Sequence, residues 1–123
     1  PAEPLFRSKS LVSAYALAIP PTATGLLYAG TDKGFYSYIS ANWSSASLSS
    51  STITALAAHP TKVDLVFAGT TAGAFISKDG GLNWIPGPGE LAGIHIEKIS
   101  FDPQNPNIVY YATQNHGILK TYH

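Results

Sequence analysis

The chain has 123 residues, enough for one domain with a hydrophobic core of its own. Its seven basic and seven acidic residues cancel to a net charge of zero and are spread singly, so we expect neither a nucleic-acid-binding face nor a membrane-binding patch. The sequence contains no cysteine, which excludes disulfides and cysteine metal sites, and its apolar runs are too short to cross a membrane.

Residues 1–10 stand apart from the pattern that follows them. They contain a short strand-like piece at positions 4–8, PLFRS, which includes Leu5 and Phe6. We predict that this piece is an N-terminal closing strand. Because the sequence contains no methionine, we also expect a processed, proteolytic or excised form of a protein.

A pattern of about 40 residues then recurs three times. Each repeat opens with an apolar run that ends on proline: AYALAIP (14–20), ITALAAHP (53–60) and IEKISFDP (96–103). A second run ends on threonine: LLYAGT (26–31), LVFAGT (65–70) and IVYYAT (108–113). A glycine soon after each threonine begins a third run, and the predicted turn positions are Gly34, Gly73 and Gly117.

These short runs predict strands, because they are rich in branched and aromatic residues and are closed by glycine, threonine or proline. No window shows the sustained spacing of an amphipathic helix. A repeat of about 40 residues with several strands is the size of a propeller blade. We therefore predict an all-β chain of three β-propeller blades, at residues 11–50, 51–92 and 93–123, the last lacking its outer strand.

The stretch SKDGGLNW (77–84) predicts a turn between the last two strands of the middle blade. Asp79 can accept backbone N–H groups, and the glycines after it reach positive φ without strain. Ser77 can bond across the same loop, and Trp84 begins the next strand, where its ring can pack between neighbouring elements. One carboxylate is too few for a calcium ion, so we predict a structural loop and no metal.

These eight residues resemble the Asp-box, or BNR, motif S-x-D-x-G-x-x-W. Its four defining positions are filled by Ser77, Asp79, Gly81 and Trp84. The motif occurs in sialidases, sortilin-type receptors, xyloglucan-degrading hydrolases and photosystem II stability and assembly factors. The resemblance covers about three repeats and implies a β-propeller whose Asp-box stabilises a blade away from the central binding face. The first repeat departs from the motif, since it keeps only the serine and the tryptophan.

No catalytic constellation accompanies the motif. Glycoside hydrolysis needs two carboxylates that face each other across the bond, and the best candidate is Asp32, just after the second strand of the first repeat. Thr71 and Gln114 stand at the equivalent positions, so the second acid is missing. Arg7 is the only arginine, which argues against a sialidase and its arginine triad. The histidines form no close-spaced ligand motif, and we expect no cofactor.

We therefore predict a non-enzymatic binding or scaffold module that mediates protein–protein interaction or assembly, similar to the assembly-factor branch of the family. One alternative is part of a xyloglucanase-like hydrolase, in which Asp32 would need a second carboxylate opposite it. Another alternative is a structural subunit of an extracellular assembly. The ligand is expected to be a protein or a glycan, and an extracellular or periplasmic location is favoured.

Three blades cannot close a ring, since propellers contain roughly four to eight. We predict a homodimer that forms a six-bladed ring, in which the N-terminal strand of one copy pairs beside the last strand of the other. The residues of this expected seam are Leu5, Phe6, Ile118 and Leu119. The alternative is that the remaining blades belong to a longer parent protein.

Overall fold

The computed structural model describes residues 13–22, 24–40, 42–44 and 47–123, which form three antiparallel sheets with their strands in sequence order. Blade 1 contains β1 (Ala14–Ala18), β2 (Leu27–Thr31), β3 (Gly34–Ile39) and β4 (Asn42–Trp43). Blade 2 contains β5 (Ile53–Ala58), β6 (Val66–Thr70), β7 (Gly73–Ser77) and β8 (Ile85–Pro86). Blade 3 contains β9 (Ile96–Phe101), β10 (Ile108–Thr113) and β11 (Ile118–Tyr122). A 3₁₀ turn at Gly89–Leu91 precedes blade 3.

This architecture confirms the predicted all-β fold of three blades, the last without a fourth strand in the described part of the chain. The predicted closing strand at residues 1–10 lies outside the described residues. Within the described ranges, no helix has the length and apolar character needed to span a membrane.

The threonine that ends each second strand fastens the turn that follows it. The Oγ1 atoms of Thr31, Thr70 and Thr113 donate hydrogen bonds of 2.8, 2.8 and 2.7 Å to the carbonyl of the glycine that precedes or opens the third strand. All three glycines have the positive φ that favours glycine: Gly34 (105°), Gly73 (128°) and Gly117 (70°). The repeated Thr and Gly of the sequence therefore build the same turn three times.

Two apolar clusters fill the spaces between the sheets. The space between blades 1 and 2 is filled by side chains that include Tyr28, Phe35, Ile53, Leu56 and Val66. The space between blades 2 and 3 is filled by others that include Phe67, Ile76, Leu91, Ile96, Ile99, Val109 and Tyr111. Because successive residues of a strand point to opposite faces, blade 2 contributes to both clusters. The first cluster covers one face of blade 1, and the second cluster covers one face of blade 3.

Neighbouring sheets approach one another closely at a glycine in the second strands of blades 1 and 2. A Cβ atom on Gly69 would lie 2.5 Å from Cγ2 of Ile96, the first residue of β9. Gly30 meets Ile53, the first residue of β5, in the same way. Neither glycine has a positive φ. The glycine of each AGT sequence is therefore required by side-chain volume across the seam and not by its own backbone angles.

We expect Gly69→Ala to destabilise the fold by about 1–3 kcal/mol, because the added methyl group overpacks the seam against Ile96. The matched control is Gly89→Ala in the 3₁₀ turn, where a Cβ would meet no atom within 4 Å. Urea unfolding of the three proteins measures both effects. Equal stability of the two variants would contradict the close approach of blades 2 and 3.

Candidate functional site

Loop 77–83 is held by hydrogen bonds among its own residues. Ser77 Oγ donates to Asp79 Oδ1 at 2.7 Å and accepts the N–H of Gly81 at 2.8 Å. Asp79 accepts the backbone N–H of Asn83 on Oδ1 and its side-chain amide on Oδ2, both at 2.8 Å. The Asn83 backbone N–H, followed by the Ser77 hydroxyl, lowers the pKa of Asp79 to about 2. The carboxylate is therefore engaged by its own loop.

The same loop joins blade 2 to blade 1. Trp84 shares its indole N–H between Ser47 Oγ at 3.0 Å and the Gly81 carbonyl at 3.1 Å, and Ser47 Oγ donates to that carbonyl at 2.6 Å. The ring of Trp84 meets Phe35 edge-on, with centroids 5.1 Å apart. A Cβ atom on Gly81 would overlap the Phe35 ring, so this position also requires glycine.

Ser47 lies in the serine-rich segment 44–51, whose composition alone indicates no specific contact. Its side chain is half-buried, and its backbone pairs with Phe35 through hydrogen bonds of 2.7 and 3.0 Å. Five of the seven other residues in this segment are also serines, so no residue-type signal marks the one that makes the contact to blade 2.

A cleft of about 470 Å³ lies at the opposite end of the sheets from loop 77–83. The first strands of the three blades lie side by side, and the cleft opens where they begin, next to the turn between β6 and β7. Its lining consists of Tyr15, Thr52, Thr54, Thr71, His95 and Glu97. This cleft is the candidate binding site, because it combines an aromatic ring, hydroxyl groups, an imidazole and a carboxylate in one concave surface.

Three of the lining residues occupy the same position in the three blades. Tyr15, Thr54 and Glu97 each follow the first residue of the first strand, and each is skipped by the pairing with the second strand. Such a bulge re-aims a side chain out of the regular alternation of the strand. The same three residues also line an adjoining cleft of about 400 Å³. The bulges therefore place one variable side chain from each blade along a single surface.

The carboxylates do not form a catalytic pair in this cleft. Among the described residues that line it, Glu97 is the one carboxylate. Asp32 instead fixes the start of β1, since its Oδ1 accepts the N–H of Ser13 at 3.0 Å and its own N–H donates to the Ser13 carbonyl at 3.0 Å. Thr71 lines the cleft, and Gln114 ties its turn to the chain before β9 by donating its N–H to the His95 carbonyl at 3.0 Å.

His59 and Asp102 stabilise the same connection in blades 2 and 3. His59 Nδ1 accepts the N–H groups two and three residues further on, at 3.1 and 2.9 Å, and Asp102 Oδ1 does so at 2.9 and 3.1 Å. Burial, followed by the charge of Lys62, lowers the pKa of His59, so its imidazole is neutral at pH 7. Over the described ranges, no three histidine, aspartate or glutamate side chains cluster as metal ligands.

The residues of the expected seam point in different directions. Ile118 is 73% exposed on the face of blade 3 that looks away from blade 2. Leu119 is half-buried and packs against the cluster between blades 2 and 3. Leu5 and Phe6 lie outside the described residues. Within the described chain, β11 pairs only with β10, so its outer edge has no neighbouring strand.

The cleft residues were missed by the sequence reasoning. Tyr15, Thr54 and Glu97 align as the second residue of each first strand, and a tyrosine, a threonine and a glutamate share no chemistry that would mark them together. Their variation inside an otherwise regular apolar repeat is the one feature that could have identified them.

The fold is that of a β-propeller, as shown by similarity to solved structures. An ancestral GH74 enzyme matches 81% of this chain with 24% identity and a TM-score of 0.74, over 13% of its own length. The GH74 xyloglucanase from Xanthomonas campestris matches 91% with 16% identity and a TM-score of 0.71, over 21% of its length. YCF48 from Cyanidioschyzon merolae matches 90% with 14% identity and a TM-score of 0.69, over 38% of its length.

The chain therefore spans between about an eighth and two fifths of the length of these structures. At such identities the likeness extends to the fold alone. No protein-family model and no curated protein sequence matches the chain.

The lowered pKa of Asp79 gives loop 77–83 a pH dependence. Because the ionised form is favoured in the folded state, its stabilising effect is full above the ordinary value of 3.8 and is lost as the pH falls towards about 2. We expect Asp79→Asn to melt at a lower temperature than the native chain at pH 7, and the difference to narrow between about pH 4 and pH 2. Thermal unfolding followed by circular dichroism measures this. Parallel curves for the two proteins would contradict the role of the carboxylate.

Proposed function

We propose that this chain is a non-enzymatic binding or scaffold module that captures a segment of a partner protein in the cleft of the first strands. The observation that carries this proposal is the alignment of Tyr15, Thr54 and Glu97 along one concave surface. Each blade contributes one of these residues from a bulge at the equivalent position. A ligand that lies across the three blades would therefore contact a different side chain on each of them.

The chemistry of the cleft fits a peptide. Tyr15 is 58% exposed and offers a rigid aromatic face with a hydroxyl, the kind of side chain enriched in protein interfaces. Glu97 is exposed and supplies one anionic acceptor for a basic group or for backbone N–H donors. Thr54 donates its hydroxyl to the Ile96 carbonyl of blade 3, so it contributes a fixed wall between the other two.

Two further considerations support this choice. The loop motif formed by Ser77, Asp79, Gly81 and Trp84 favours membership of the Asp-box propeller family, whose assembly-factor branch is the closest in kind to a binding module. One of the structures of similar fold is YCF48 bound to D1 peptide, with 22% identity to this chain over 90% of it. A propeller of this shape can thus accommodate a peptide.

The alternative function, from the class of enzymes, is that of a part of a glycan-active hydrolase. It is supported by the similarity of the fold to that of the GH74 enzymes. It requires two carboxylates at a defined separation across the bond. The Asp32 carboxylate accepts a hydrogen bond from the Ser13 backbone, and Glu97 has no second carboxylate beside it among the described lining residues of the cleft. Release of reducing sugar from xyloglucan by the purified chain, abolished in Asp32→Asn or Glu97→Gln, would favour the hydrolase.

A structural subunit is the remaining candidate function. Such a subunit would form polymers that are visible by electron microscopy without an added partner.

We expect short random peptides displayed on phage to be enriched on the immobilised chain, and the enriched peptides to bind through the cleft. Tyr15→Ala and Glu97→Gln are each predicted to weaken a selected peptide by about tenfold or more, since each removes a central contact. Isothermal titration calorimetry with the synthetic peptide gives the dissociation constants.

The matched control is Glu90→Gln, the same change on the exposed 3₁₀ turn outside the cleft lining, which should leave the affinity unchanged. Failure to enrich any peptide, or an equal loss of affinity in Glu90→Gln and Glu97→Gln, would contradict the proposed function.

A further inference from the structure

Among the residues that the structure describes, blades 1 and 3 each present an apolar sheet face that no other blade covers. On blade 1 the face carries Leu17 and Ile19, which are 65% and 73% exposed. On blade 3 it carries Ile118 and Tyr122, which are 73% and 71% exposed, with Tyr110 between them on the neighbouring strand. Faces of this kind on blade 2 are covered by the neighbouring blades. Apolar patches of this character mark contact surfaces.

Both internal seams obey one volume rule. The second strand of a blade carries a glycine one position before its closing threonine, and the first strand of the next blade begins with isoleucine. The pairs are Gly30 with Ile53 and Gly69 with Ile96, and a Cβ on either glycine would collide with the isoleucine side chain. A blade that begins with isoleucine therefore cannot pack in this way on a blade without the glycine.

The two free faces break the rule in complementary ways. On blade 3 the position before Thr113 is Ala112, so a methyl group fills the space that isoleucine occupies at the other seams. On blade 1 the first residue of β1 is Ala14, which pairs with Thr31 as Ile53 pairs with Thr70 and Ile96 with Thr113. The face of blade 3 has gained a methyl group, and the face of blade 1 has lost the part of the isoleucine side chain that lies beyond Cβ.

The other positions of the two faces match the internal seams. Tyr110 stands where Tyr28 and Phe67 stand in the second strands of blades 1 and 2, and both of those rings are buried between sheets. Leu17 stands where Leu56 and Ile99 stand in the first strands of blades 2 and 3, and both are buried. An aromatic ring and a branched aliphatic side chain are thus available for a third seam.

We propose that the free face of blade 3 packs on the free face of blade 1 of a second copy of this chain, with Ala112 of one copy against Ala14 of the other. Repeated across a two-fold axis, this contact forms two identical seams and a ring of six blades. The inference goes beyond the proposed function, because it depends on the packing of the sheets and on no ligand.

The first test measures the mass of the native chain and three variants by sedimentation or light scattering at micromolar concentration. We expect the native chain to have twice its monomer mass of 13.0 kDa. Ala14→Ile should weaken the dimer by at least about tenfold, because the isoleucine collides with Ala112. Ala14→Ile combined with Ala112→Gly recreates the internal pair and should restore the dimer. Ala72→Ile, the same change at an exposed turn residue, should leave it unaltered.

A second test identifies which faces meet. The chain contains no cysteine, so single cysteines can be introduced without competition from native thiols. A mixture of the Ala14→Cys and Ala112→Cys proteins should form a covalent dimer on mild oxidation, whereas either protein alone should not. Circular dichroism of each variant shows whether its fold is retained.

Three results would overturn the proposal. The first is a folded native monomer at micromolar concentration, which would favour further blades of a longer parent chain as the occupants of these faces. The second is a dimer that Ala14→Ile leaves intact. The third is cross-linking of either cysteine variant by itself, which would indicate like faces in contact.

Discussion

The distance between neighbouring sheets is the constraint on which the rest of this structure depends. At Gly30 and Gly69 a single hydrogen atom in place of a methyl group lets an isoleucine of the next blade approach the backbone. That approach brings the first strands side by side, which in turn places their bulge residues along one cleft. The tie between Trp84 and Ser47 acts at the other end of the same seam. Packing at one glycine in each of the two seams between blades thus sets both the core and the candidate site.

The fold could be predicted because its determinants are local and repeated. The threonine before each turn and the glycine after it appear in the sequence three or four residues apart, and each pair makes the same hydrogen bond in the structure. Apolar runs closed by proline likewise fixed the number and order of the strands. Residues such as Asp79, whose partners lie within four positions, could be interpreted from the sequence for the same reason.

The contacts between blades and the candidate site could not be predicted, because their determinants are distant in the sequence or do not repeat by residue type. Ser47 bonds to residues 34 and 37 positions away, and nothing in a serine-rich segment distinguishes it. The position of Asp32 after a strand made it the best catalytic candidate in the sequence, yet its carboxylate accepts a hydrogen bond from a backbone N–H group 19 residues earlier. The bulge at Glu97 depends on a pairing register that alternation alone does not reveal.

The bulge in each first strand assigns strand pairing and the lining of the cleft to different residues, whereas in a regular strand the same residues would have to do both. Tyr15, Thr54 and Glu97 stand outside the pairing register, while their neighbours Ala16, Ala55 and Lys98 keep it. A mutation at the bulge can therefore alter the surface without disturbing the ladder or the clusters between the sheets. The three blades follow one repeat pattern and differ in residue type at this position, so the architecture can accept new ligand preferences at little risk to folding.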